Sequence, residues 1–129
     1  MKTESWFIYN MRKLDISNFC SSGDIYICDY KERVGSLQNG VRPCVIIDNP
    51  MACAYSNIIH CCPLTTEIKE FPLHYLLKKK NYDFLKSDSD VLCEQYGLID
   101  KSQLHNKIGK ISPQDLFFIV EKCKQNLPF

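Results

Sequence analysis

Turn signals recur along this chain so closely that only short elements fit between them. "SSGD" at 21–24, Gly35 and Gly40 in the stretch 31–41, "DNP" at 48–50 and "SDSD" at 87–90 each punctuate the backbone. After the first of these, Ile25, Ile27 and Asp29 alternate with Tyr26, Cys28 and Tyr30, the period of a strand. Further strands are expected over 42–48, 57–63, 72–77 and 91–94, with 97–99 completing the set and "TTEIKEF" at 65–71 as a polar loop. The last element changes period. Ser112 as N-cap, Pro113 at the first helical position and Asp115 three residues past the cap start a helix. Leu116, Val120, Cys123 and Leu127 then recur at i, i+4, i+7 and i+11 along one of its faces. Many short strands followed by one helix predict a mainly β, α+β fold: a small, strongly curved antiparallel sheet or barrel, with the helix packed across it.

A chain of 129 residues supports one modest core. We place the domain at 23–129. Residues 1–22 mix Trp6, Phe7, Ile8, Tyr9, Met11, Leu14, Ile16 and Phe19 with polar residues without clean periodicity, and read as an N-terminal extension. The only continuous apolar run there, Trp6 to Tyr9, is shorter than the ~7–15-residue core of a signal peptide. No run approaches the roughly 20 residues that span a bilayer. A cytoplasmic protein without membrane association is expected.

Net charge is only +1, so any nucleic-acid binding has to come from local placement of charge. The eight cysteines sit mostly in apolar segments such as "YICDY" and "RPCVII", where a reduced thiol acts as a small buried hydrophobe. No C-x-x-C occurs, and Cys61 and Cys62 are adjacent, so on a strand they point to opposite faces. Neither a metal site nor any other cofactor is expected.

The chain carries no glycine-rich phosphate loop, no HExxH, no GxSxG and no pair of acids flanking a histidine. His60, between Ile59 and Cys61, is expected as a satisfied core or edge residue and His105 as a surface one, while the role of His74 in "FPLHYLL" stays open. Arg42, at the mouth of an apolar strand beside a glycine-bearing loop, is either a solvated cap or a charge aimed at a phosphate. Lys78 to Lys80 read as a solvated turn.

Three separated motifs remain, and they decide the matter. "GDIY" (23–26) with "GSLQNGVRPCVII" (35–47), "PLTT" (63–66) followed by "FP", and "EQ" (94–95) ahead of "IDK" stand in an order that closely resembles the MazF/PemK family of toxin endoribonucleases. The resemblance covers Gly23 to the end of the terminal helix. It implies an SH3-like barrel with a flanking helix, assembled as a homodimer, that cuts single-stranded mRNA without a metal and leaves a cyclic phosphate and a free 5′-hydroxyl. It implies Arg42 and Thr65 as the catalytic pair, with Ser36, Gln38, Thr66 and Gln95 contacting RNA. A cognate MazE-like antitoxin is the implied partner, an acidic and partly disordered segment laid across the dimer groove. The chain departs from the family at Leu37, where many relatives carry glutamate, and Glu32 lies five residues earlier. The alternative is a non-catalytic protein on the same fold, either a binder of DNA gyrase like the related CcdB toxins or a degenerate homologue that only binds antitoxin. The C-terminal "NLPF" lacks the tryptophan-bearing tail associated with the gyrase poisons.

Overall fold

The computed structural model describes residues 20–128. The expected extension therefore lies almost wholly outside the described residues. Seven strands and two helices follow in the order β1 (Asp24–Asp29), β2 (Val41–Ile46), α1 (Pro50–Tyr55), β3 (Ile58–Thr65), β4 (His74–Leu77), β5 (Ser89–Leu92), β6 (Gly97–Asp100), β7 (Leu104–Lys110) and α2 (Pro113–Lys124). The α+β class is as expected. All strand pairs are antiparallel, along the path β4-β5-β3-β2-β1-β7.

The eight-residue β3 is the spine. One edge pairs with β2, and the other takes β6 along its first half (Ile58↔Asp100 to Cys61↔Gly97) and β5 at its end (Leu64↔Val91, Thr65↔Asp90). Between those two pairings, residues 92–96 face only residues 62–63, so the chain must bulge. It does so as a 3-10 turn, Cys93–Gln95. This turn replaces the expected end of a strand over 91–94 and lifts Glu94 and Gln95 out of the sheet.

Period-two alternation divides the core in two. Ile25, Val45, Cys62, Leu64, Val91 and Ile119 pack between the sheet and α2. Tyr26, Cys28, Cys44, Ile46, Ile59 and Cys61 pack on the opposite face with Cys53 of α1. Cys61 and Cys62 fall in different clusters, as their adjacency on a strand requires. The start of α2 is as expected, with Asp115 N–H donating to Ser112 Oγ (3.1 Å). Tyr75 donates to Asp115 (2.6 Å) and Tyr82 to its other oxygen, which pins this helix end to the sheet.

The sequence reading needs four further corrections. The segment 104–110, given no strand above, is the edge strand β7. Only Leu104 and Ile108 are large apolar residues there, so the strand is made by backbone pairing to β1, and Lys107 and Lys110 reach the fully buried Asp24 (3.2 and 3.7 Å). The ring of Phe84 lies against Gly109, 2.2 Å from where a β-carbon would stand, so β7 fits only with glycine there. The "DNP" turn opens a short helix, α1, whose N-cap Asn49 accepts from Ala52 N–H (2.9 Å). The turn expected over 87–90 gives way at Ser89 to β5, with Asp90 buried. On α2 the buried positions are Ile119 and Cys123. Val120 is only half-buried, and Leu127 lies past the helix end and is exposed.

All eight cysteines are buried and free of disulfides. Hydrogen bonds with Cys28 and Cys61, then burial, hold the Cys44 thiol well above its ordinary pKa, and Cys123 and Cys93 do the same for Cys62. Hydrogen bonds within the same groups lower Cys61 and Cys123, and one with Cys53 lowers Cys20, so it is enclosure rather than a shared protonation state that shields all eight thiols from a reagent. Native protein at pH 8 should therefore react slowly with an aromatic disulfide reagent, and all eight thiols should appear together on unfolding. Rapid release from native protein would contradict this packing.

Candidate functional site

The loop between β1 and β2 is closed at its base by two backbone bonds. Tyr30 N–H donates to Gly40 carbonyl (2.8 Å), and Gly40 N–H to Lys31 carbonyl (3.0 Å). Gly40 has φ +73°, a left-handed conformation that glycine adopts without steric cost. Two residues on, Arg42 enters β2 half-buried, and its Nε donates to Asn39 carbonyl (2.8 Å). Arg42 makes no ion pair among the described residues. Its guanidinium is therefore fastened to the loop by one nitrogen and neutralised by no carboxylate.

The β2–β3 ladder pairs Cys44 with Pro63. Carried two residues further, that register sets Arg42 across from Thr65. The pairing itself ends at Cys44 and Pro63, while Thr65 pairs with Asp90 on β5, so Thr65 and Asp90 form a row that the extended register carries toward Arg42. Thr65 Oγ1 accepts from Glu67 N–H (3.1 Å), which leaves its hydrogen free to donate outward.

Beside this row opens a cleft of about 460 Å³. Ser36 and Gln38 of the loop, Thr65, His74 on β4 and the raised pair Glu94 and Gln95 line it. Of the six site residues expected from sequence, Ser36, Gln38, Thr65 and Gln95 thus meet at one cleft. Arg42, on β2, is not among the residues that line it, and Thr66 is exposed just past β3, outside the cleft wall. Leu37 is exposed on the loop and brings no carboxylate.

Gln95 is a cross-link. Its Oε1 accepts from Gln38 N–H (2.8 Å) and its Nε2 donates to Ser36 carbonyl (3.2 Å), tying the turn to the loop across 57 and 59 residues of chain. Sequence reading did not foresee what stands behind it. The side chain of His74, whose role the sequence left open, is only 8% exposed, with Nε2 at 2.8 Å from Glu94 Oε1 and Nδ1 at 3.2 Å from Asp90 Oδ2. Lys69 N–H also donates to Asp90 Oδ2 (3.0 Å), so one buried carboxylate holds both the histidine and the cleft rim. The available signal was the quoted "EQ" motif together with a histidine in an apolar strand. His60, by contrast, is a partly exposed residue on the central strand β3, paired with Asp48 (3.2 Å), and His105 is exposed.

Chemically, Thr65 offers a hydroxyl donor at the cleft and Arg42, on the neighbouring strand, a guanidinium with no carboxylate partner among the described residues, both suited to a phosphodiester. The cleft itself carries Glu67, Glu70 and Glu94 against Lys69 and the doubly engaged His74, which disfavours a phosphate inside it.

A family model described as PemK-like, MazF-like toxin of type II toxin-antitoxin system matches residues 21–127. Among solved structures, MazF (form I) from Deinococcus radiodurans superposes with a TM-score of 0.75 at 17% identity, over 86% of this chain and 98% of that one. An endoribonuclease from a mycobacterial species gives 0.70 at 18%, over 89% and 99%. A mycobacterial endoribonuclease in complex with its cognate antitoxin gives 0.67 at 20%, over 85% and 98%. At these identities the likeness is one of fold.

Proposed function

Because the chain belongs to the PemK-like, MazF-like toxins of type II toxin–antitoxin systems, we propose that it is a sequence-specific, metal-independent endoribonuclease restrained by a cognate antitoxin. The observation that carries this reading is Arg42, a guanidinium with no carboxylate partner among the described residues, on a strand whose register, carried two residues past Cys44↔Pro63, runs to Thr65 on the wall of a polar cleft. In RNA the nucleophile is already in place. The 2′-hydroxyl attacks the adjacent phosphorus, the bond to the 5′-oxygen breaks, and the products are a 2′,3′-cyclic phosphate and a 5′-hydroxyl. Negative charge builds on the phosphoryl oxygens of the five-coordinate state, where Arg42 donates in a planar fork and Thr65 adds its hydroxyl. Leu37 supplies no proton acceptor, and Glu32 is the one carboxylate on this loop that could stand in for it.

Ser36, Gln38, Thr66 and Gln95 contact the nucleotides flanking the cut, in keeping with the way proteins read splayed single-stranded bases. Gln95 does so chiefly by holding the loop in place. The mycobacterial neighbour bound to its antitoxin supports a similar partner here, an acidic segment that competes for Arg42. A homodimer in the cytoplasm is the working form of this proposal, and no helix among the described residues is long and apolar enough to cross a membrane.

The test is incubation of the purified protein with a long unstructured RNA in EDTA, followed by sequencing of the new 5′ ends. Discrete cuts at one short motif are expected. An intact RNA, together with inhibition of gyrase supercoiling, would replace this reading with that of a toxin acting by protein binding.

A further inference from the structure

The cleft holds two buried acceptor atoms that no described residue satisfies, Gln38 Oε1 and Glu94 Oε2. Leaving such atoms dry and unpaired is unfavourable, so their persistence in an open cleft points to a ligand that supplies the donors. Their neighbours fix them in place. Glu94 Oε1 is held by His74, which is held by Asp90, and Gln38 is anchored through its backbone to Gln95.

The two acceptors are not equivalent. A glutamine amide can turn over and present nitrogen instead. A carboxylate can only accept. Glu94 therefore sets the sign of the recognition: its partner must bring a hydrogen-bond donor, an N–H or an O–H. The acidic lining excludes a phosphate for the same reason. Phe71 lines the cleft beside Leu92, with its ring edge-on to His74 at 5.0 Å between centroids, and it offers a flat apolar surface for stacking.

Building on the nuclease reading above, we propose that Glu94 is a specificity-determining residue that accepts from the exocyclic amino group of one nucleotide beside the cut. Cytosine N4, adenine N6 and guanine N2 each provide such a donor. Uracil presents a carbonyl oxygen where cytosine has its amino group and offers only the N3–H set between two carbonyls, so its edge meets the carboxylate less favourably and is discriminated against. In Glu94→Gln the retained Oε1 still accepts from His74, while the new amide can donate to a uracil carbonyl.

Two readouts separate this inference from the activity it builds on. Mapped on random-sequence RNA, wild-type cuts should show uracil depleted at one flanking position roughly ten- to hundredfold, the worth of one good base contact. Glu94→Gln should erase or invert that depletion. Without any cleavage, cytidine and uridine can be titrated against isotope-labelled protein by NMR. Cytidine should move the side-chain amide signals of Gln38 and Gln95 at lower concentration than uridine does, and Glu94→Gln should remove the difference. If no RNA is cut yet cytidine is preferred, the nuclease reading fails and the base-reading role stands. Equal response to the two nucleosides in the wild type, or cut sites with uracil freely admitted at every flanking position, overturns the proposal. The wild-type comparison needs no variant, so misfolding of Glu94→Gln would leave it decisive.

Discussion

Arg42→Ala should cleave RNA at least ~100–1,000-fold more slowly than the parent protein, the usual loss for one preorganised donor at a site of developing charge, and should melt close to it. The reason for the second half is local. Arg42 contributes one hydrogen bond to the fold, from Nε to a carbonyl of an exposed loop, and no ion pair among the described residues. Removing it costs about 1 kcal/mol at most. The phosphate-facing nitrogens are otherwise uncommitted, so what the alanine variant loses is charge delivered to the scissile phosphate. Arg42→Lys separates charge from geometry: an ammonium keeps the positive charge without the bidentate fork, and should recover only part of the rate. Cleavage rates on one oligonucleotide, beside thermal melts of all three proteins, decide it. An Arg42→Ala protein that cuts at the parental rate, or that fails to fold, would assign the arginine a purely structural role.

How much of this was legible before the structure depended on the kind of signal. Elements whose side chains alternate or recur around a buried face were readable: β1 from Ile25, Ile27 and their neighbours, and α2 from its capping residues. The edge strand β7 was not, because an edge strand is held by backbone pairing and exposes most side chains, so "LHNKIGK" has the composition of a loop. The site divides in the same way. Arg42, Thr65 and the loop polar residues are carried by local motifs. The contacts that organise them are not, since Gln95 reaches Ser36 and Gln38, and Asp90 gathers His74 and Lys69, only after β3 has been paired on both edges. Nothing in "SDSD" distinguishes the aspartate that becomes buried from the one that stays exposed. Glu94 shows the same limit, because its unsatisfied oxygen is created by the bulge between β5 and β6.

Ile119→Ala is the second large effect, and it tests which face of α2 the fold uses. Sequence periodicity put Val120 in the core row, whereas the structure buries Ile119 completely and leaves Val120 beside a shallow groove with His60, Tyr96 and Leu127. Truncating a buried isoleucine to alanine costs about 2–5 kcal/mol, against a total stability of about 5–15 kcal/mol. That loss corresponds to a fall in melting temperature on the order of 10 °C or more. Val120→Ala removes a partly solvated side chain and should cost no more than about 1 kcal/mol. Both changes place alanine at the same kind of helical position, so propensity shifts them alike and packing alone ranks them. Equal or reversed ranking in denaturant melts would mean that α2 sits rotated from the described packing. The consequence reaches the site as well. Asn126, just past the helix, donates to Cys93 carbonyl (3.1 Å), at the start of the turn that raises Glu94 and Gln95. A helix loosened at Ile119 should therefore also relax the cleft, and Ile119→Ala should lose RNA cleavage at temperatures well below its own melting point, where Val120→Ala does not.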